Sequence, residues 1–116
     1  MKIRLLLAIT LALLGVPRLA AQDVMLSKPR QLKVLGEDDK VRVLRFAPTK
    51  GERTPMHSHP ETVVYVVKGG KIRLTLPDGS SSVVELKTGE TQLRAPVTHS
   101  DEALDDLEVI LVELKK

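Results

Sequence analysis

The 116-residue sequence has no cysteine and no tryptophan, and Phe46 and Tyr65 are its only aromatic residues. Without cysteine there is no disulfide framework, no thiolate metal site and no thiol nucleophile. Two aromatics leave little to stack on bases, and no basic cluster is interleaved with them, which excludes the usual nucleic-acid-binding designs. Histidine is also scarce, with only His57, His59 and His99. With no histidine outside that set, serine or threonine triad chemistry has no general base elsewhere in the chain. No internal repeat, low-complexity stretch or second domain is visible, and the length allows one domain at most.

The start of the chain reads differently from the rest. Lys2 and Arg4 precede an apolar run, Leu5–Val16, broken only by Thr10 and Gly15. Pro17 ends the run, and Leu19-Ala20-Ala21 places small residues before Gln22. A charged start, a short apolar centre and a small-residue end have the order of a secretory signal peptide. The run is shorter than the about 20 residues that span a bilayer, though an uncleaved N-terminal anchor is the competing reading. The expectation is a signal peptide over 1–21, cleaved after Ala21, and a mature domain over 22–116 in the periplasm or outside the cell. Residues 1–21 hold Lys2, Arg4, Arg18 and no acid, so the chain from Gln22 has 15 basic and 15 acidic residues. The overall net charge of +3 therefore belongs to the export segment. It argues for neither nucleic acid nor stable membrane association.

From Gln31 onward the pattern is that of short strands. Gln31–Leu35 and Val41–Phe46 alternate apolar and polar residues around a turn at Gly36–Lys40, and Lys71–Leu76 alternates strictly. Thr62–Val67 is so rich in β-branched residues that it reads as a strand buried on both faces, with Tyr65 and Phe46 in the core. Gly69-Gly70 reads as a tight hairpin and Pro77-Asp78-Gly79 as a second turn. Ser82–Leu86, the short Thr91–Arg94 and Leu107–Leu114 complete the strands. Pro48–Pro55 and Pro96–Ala103 read as loops, and Asp101, Glu102, Asp105 and Asp106 as a solvated acidic group. Seven or so short strands without an amphipathic helix indicate an all-β sandwich or barrel.

The histidines carry the functional signal. Side chains at i and i+2 on a strand share a face, so His57 and His59 can point two imidazoles at one ion. Neutral imidazole suits zinc, iron, copper and nickel. An isolated His-x-His is more often a solvent-exposed pair at a strand end. The third ligand has to be His99, brought back from its loop.

Two segments around these residues form a known pattern. Gly51-Glu-Arg-Thr-Pro-Met-His57-Ser-His59 resembles the first motif of the cupin superfamily, G-x5-H-x-H-x3 or 4-E-x6-G. Gly89-Glu-Thr-Gln-Leu-Arg-Ala-Pro96-Val-Thr-His99 is similar to the second, G-x5-P-x-G-x2-H-x3-N. Thr62–Gly69 resembles the family strand between them. The likeness runs from about Val41 to Glu113. It implies a single-domain double-stranded β-helix, or jelly-roll barrel, with His57, His59 and His99 projecting inward near one open end. The family's metal-binding Glu would fall at Val63 or Val64, which cannot ligate. Glu61 is the only acid between His59 and Gly69. Pro60 next to it and the family spacing both argue that it is not a ligand. Ala95, Val97 and Ala103 stand near the second motif's Pro, Gly and Asn.

The leading expectation is an exported metal-binding cupin of unassigned role. Its site would be three histidines holding one divalent transition metal (Fe, Zn, Mn, Ni or Cu) in a barrel cavity open to a small-molecule ligand. One alternative is an iron-dependent dioxygenase acting on a small molecule, as in three-histidine members of the family. The other is a metal-free small-ligand-binding or assembly module. A domain of about 95 residues has a small core and open sheet edges, so a homodimer is expected.

Overall fold

A computed structural model describes residues 22–116; the expected signal peptide, 1–21, lies outside the described residues. After a 3-10 turn at Val24–Ser27 come nine strands. They are β1 (Leu32–Glu37), β2 (Val41–Phe46), β3 (Arg53–His59), β4 (Thr62–Lys68), β5 (Gly70–Thr75), β6 (Ser81–Leu86), β7 (Thr91–Arg94), β8 (Val97–Ala103) and β9 (Glu108–Leu114). They pair antiparallel in a five-stranded sheet, β1-β2-β9-β4-β7, and a four-stranded sheet, β3-β8-β5-β6. The all-β class expected from the strand pattern, and the jelly roll that the cupin resemblance implies, are the observed architecture.

Alternation explains the core. The inward rungs of the larger sheet are Leu44–Leu111–Val64 and Phe46–Val109–Val66. All six are buried, as are Ile72, Leu86 and Ala103 of the smaller sheet. Each fully buried side chain of this size stabilises the fold by about 1.5–3 kcal/mol. β4 has only one buried face: Thr62, Val64 and Val66 point inward, while Tyr65 is 48% exposed. Its β-branched run therefore reports strand propensity, not two-sided burial, and Tyr65 is not a core residue as Phe46 is. Outward-facing Val63 pairs with Leu93, which is 82% exposed, giving the larger sheet an apolar outer face.

Three connections depart from the sequence expectation. Gly69-Gly70 is not a hairpin, because β4 and β5 belong to different sheets and the chain crosses between them here. Gly69 is required for space: a Cβ there would lie 2.2 Å from the Leu86 carbonyl oxygen and 2.8 Å from the Thr88 nitrogen. The Pro77-Asp78-Gly79 turn does close the β5–β6 hairpin, with Gly79 at φ 90°. The segment expected as a loop after Arg94 is mostly strand β8, which β3 and β5 flank on both sides. β3 starts inside the expected Pro48–Pro55 loop. It tolerates Pro55 because the strand is at a sheet edge and its register slips between Thr54 and His57.

Candidate metal centre

β3 and β8 assemble the histidines. His57 and His59 point to one face of β3, and His57 stands directly opposite His99 in the β3–β8 ladder. One ligand atom from each of the three lies within 4.8 Å of the others. His99 thus reaches the site from a strand and not from the expected loop. His57 and His99 are 4% and 6% exposed.

Hydrogen bonds fix which nitrogen faces the centre. The His57 Nδ1–H donates to the Pro55 carbonyl oxygen at 2.6 Å. His59 Nδ1 lies 2.6 Å from Glu113 Oε2 and donates to it. Both Nε2 atoms are then lone-pair donors, and they face one another at 2.9 Å. Two lone pairs at that distance repel unless a cation sits between them or one nitrogen takes a proton. Metal–nitrogen bonds of about 2.0–2.1 Å at right-angle to tetrahedral geometry separate two ligand nitrogens by about 2.9–3.4 Å. The His57–His59 pair therefore has the spacing of two ligands on one divalent transition metal, and His99 offers a third nitrogen within 4.8 Å.

Burial keeps the His57 and His99 imidazoles in their ligating form. Burial pushes His57 down to about 4; the Pro55 hydrogen bond opposes this and a charge on His59 adds to it. Burial, then the neighbouring His57 and His59, and then Arg94 push His99 down to about 3. Neutral imidazole is what a metal takes.

Glu113, which the sequence reading did not single out, is the carboxylate of this centre. It lies on the inward face of β9 and is 2% exposed. Its Oε1 accepts from Arg42 Nε at 2.9 Å and Nη2 at 2.6 Å, and Arg42 reaches on to Asp23 Oδ2 at 2.9 Å. Burial alone would raise the Glu113 carboxyl, but the hydrogen bonds from His59 and Arg42 outweigh it and hold it below its usual range. The signal was present in the alternation of Leu107–Leu114, where Glu113 shares the inward face with Val109 and Leu111. Only the β4–β9 pairing, which sets Glu113 beside Thr62, brings it to His59.

The other candidates fall outside the cluster. Glu61 is exposed, and Val63 faces outward. The inward positions after His59 are Thr62, whose hydroxyl donates to the Pro60 carbonyl oxygen at 2.7 Å, and Val64. The acidic group is not uniformly solvated. Asp101 is 8% exposed and lines the cavity, and burial raises its carboxyl to about 6 against a hydrogen bond from Thr54. Glu102 pairs with Arg73 at 2.9 Å. Asp105 and Asp106 are exposed and accept from the Lys71 and Lys50 backbone N–H groups at 2.8 Å each.

The imidazoles open onto a small cavity between the sheets, with about 50 Å³ of room for the centres of water-sized molecules. Its walls are mainly apolar.

No protein-family model and no curated protein matches the chain. Solved structures do. A cupin domain from Bordetella pertussis Tohama I is 25% identical with a TM-score of 0.67, over 73% of this chain and 92% of that one. An RmlC-like cupin from Desulfovibrio desulfuricans is 20% identical with a TM-score of 0.55, over 72% and 79%. A cupin superfamily protein from Desulfitobacterium hafniense DCB-2 is 15% identical with a TM-score of 0.57, over 73% and 76%. The last two likenesses concern the fold alone.

This chain belongs to the cupin superfamily.

As a cupin it departs from the motif in one respect that the geometry clarifies. The motif supplies a carboxylate from the strand after His-x-His; here the nearest carboxylate comes from β9 and contacts a histidine nitrogen turned away from the centre. The cluster of His57, His59 and His99 can hold a metal ion within this cupin fold.

Proposed function

We propose that this cupin is exported and binds one divalent transition metal through His57, His59 and His99, presenting it to a small molecule in the barrel cavity. The observation that carries this reading is the 2.9 Å approach of the His57 and His59 Nε2 atoms, with both Nδ1 atoms already committed to acceptors. That arrangement is costly without a cation and favourable with one. When bound, the metal supplies Lewis-acid polarisation and coordination positions that three protein ligands leave open.

The chain's own residues do the rest. Pro55 and Glu113 hold two imidazole tautomers. The Asp23–Arg42–Glu113 chain ties His59 to the rest of the fold. The apolar walls keep bulk water from the imidazoles, which strengthens every polar contact inside.

Metal analysis of untagged protein purified from its own compartment is the test. About one transition metal per chain is expected, and His57→Ala, His59→Ala or His99→Ala should each lose most of it. Stoichiometric metal in the triple variant would overturn the assignment.

A further inference from the structure

Two ionisable side chains in the cavity have no charged partner, and both are desolvated. Arg94, at the end of β7, is half-buried. It directs Nε and Nη2 to the side-chain oxygen of its own neighbour Gln92, at 2.9 and 2.6 Å. No carboxylate forms an ion pair with it among the described residues. Asp101, on β8 two residues beyond His99, is 8% exposed. Its Oδ1 is the one buried side-chain polar atom without a hydrogen-bond partner among the described residues. Both side chains line the cavity that also holds the three histidines.

Elsewhere the fold pairs its buried charges. Glu113 and Arg42 satisfy each other, and Arg42 has Asp23 as well. A buried charge or carboxyl oxygen left without a partner costs free energy. Such a cost persists where a ligand supplies the missing partner.

The two groups ask for opposite things. The guanidinium's free edge fits a carboxylate. Asp101 Oδ1 fits an O–H or N–H donor. The same cavity is lined by the imidazoles and by Val24, Leu32, Ile72, Leu74 and Leu86. We propose that the cavity binds a small aliphatic carboxylic acid bearing a hydroxyl or amine. Arg94 takes the carboxylate, and Asp101 Oδ1 accepts a hydrogen bond from the donor group. This deepens the metal-centre reading and rests on it for the position of the ligand's reactive part.

The test uses the mature protein with and without zinc, with zinc content measured on every sample. The probe is 2-hydroxy-4-methylpentanoate, followed by calorimetry. Its amide lacks the carboxylate, and 4-methylpentanoate lacks the hydroxyl. Wild type should bind the hydroxy acid at least tenfold more tightly than either control. Arg94→Gln should lose the preference over the amide. Asp101→Asn should lose the preference over 4-methylpentanoate. Neither variant should change zinc content, and both should melt at or above the wild-type temperature, because each removes a buried charge that has no counter-charge. Unchanged preferences in the variants, or no binding of the hydroxy acid by wild type at millimolar concentration, would overturn the inference. A marked fall in the melting temperature of both variants would also overturn it, since the groups would then be structural. Failure to hold zinc is a separate readout that counts against the metal centre; the preferences are then read on the zinc-free samples.

Discussion

Replacing Glu113 by Gln keeps its size and tests whether a carboxylate outside the ligand set prepares the metal centre. Glu113 accepts from two sides, from His59 Nδ1 at 2.6 Å and from Arg42 Nη2 at 2.6 Å. Gln has one acceptor and one donor, so one side must face a donor. If the amide oxygen stays with Arg42, its NH₂ group meets His59 Nδ1. That favours the tautomer with the proton on Nε2, which removes the lone pair the metal needs. If the oxygen stays with His59, Arg42 is left with Asp23 alone. Loss of such an outer carboxylate typically weakens metal affinity about 10–100-fold, or about 1.4–2.8 kcal/mol. A lost hydrogen bond to a charged group costs about 1.5–3 kcal/mol of stability. Arg42 keeps Asp23, so the lower end applies, and the melting temperature should fall by roughly 6–12 °C for a domain of this size. Competition against a chromogenic chelator measures the first quantity, and calorimetry of the metal-free protein the second. Metal affinity within twofold of wild type, alongside a lowered melting temperature, would refute the reasoning. Glu113 would then be an element of the fold without influence on the centre.

The metal-free protein should lose stability between pH 7 and 5. His57 and His99 sit near 4 and 3 when folded, below the usual 6.5, so the unfolded chain takes up protons that the folded chain refuses. Their contribution is complete above pH 6.5 and falls as pH drops toward 4, by about 1.4 kcal/mol per pH unit per group. Asp101, raised to about 6, opposes this below that value. The net loss should be roughly 2–3 kcal/mol in denaturant titrations at the two pH values, and equal or greater stability at pH 5 would contradict the assignment. We predict a dimer in sedimentation at micromolar concentration, formed through the outer face of the larger sheet. Leu93→Lys should then yield a monomer, and a wild-type monomer across that range would rule the dimer out. N-terminal sequencing of the exported protein should begin at Gln22; a chain that retains Leu5–Leu14 would refute cleavage.

The strand order is where sequence reasoning stopped. Period-two alternation marks individual strands, because side chains on a pleated strand alternate faces whatever the neighbours are. It carries no information about which strands pair. Hence Gly69-Gly70 read as a hairpin when it is a crossing between sheets, and Val97–Ala103 read as a loop although β3 and β5 flank it as strand β8. Polar residues on that segment concealed it: His99 and Asp101 occupy inward positions where a core strand would carry aliphatics.

By itself the sequence determined the all-β class, the absence of thiol chemistry and of any histidine outside His57, His59 and His99, and the likeness to the two cupin motifs. These are local properties of composition, alternation and spacing. Only the tertiary structure decided which carboxylates matter. Glu113 is 54 residues from His59 and meets it because β9 runs between β2 and β4. Asp101 loses its solvent because β8 is flanked by β3 and β5 and faces the opposite sheet. Burial and partnership are created by strands distant in sequence, and no residue's local pattern specifies them.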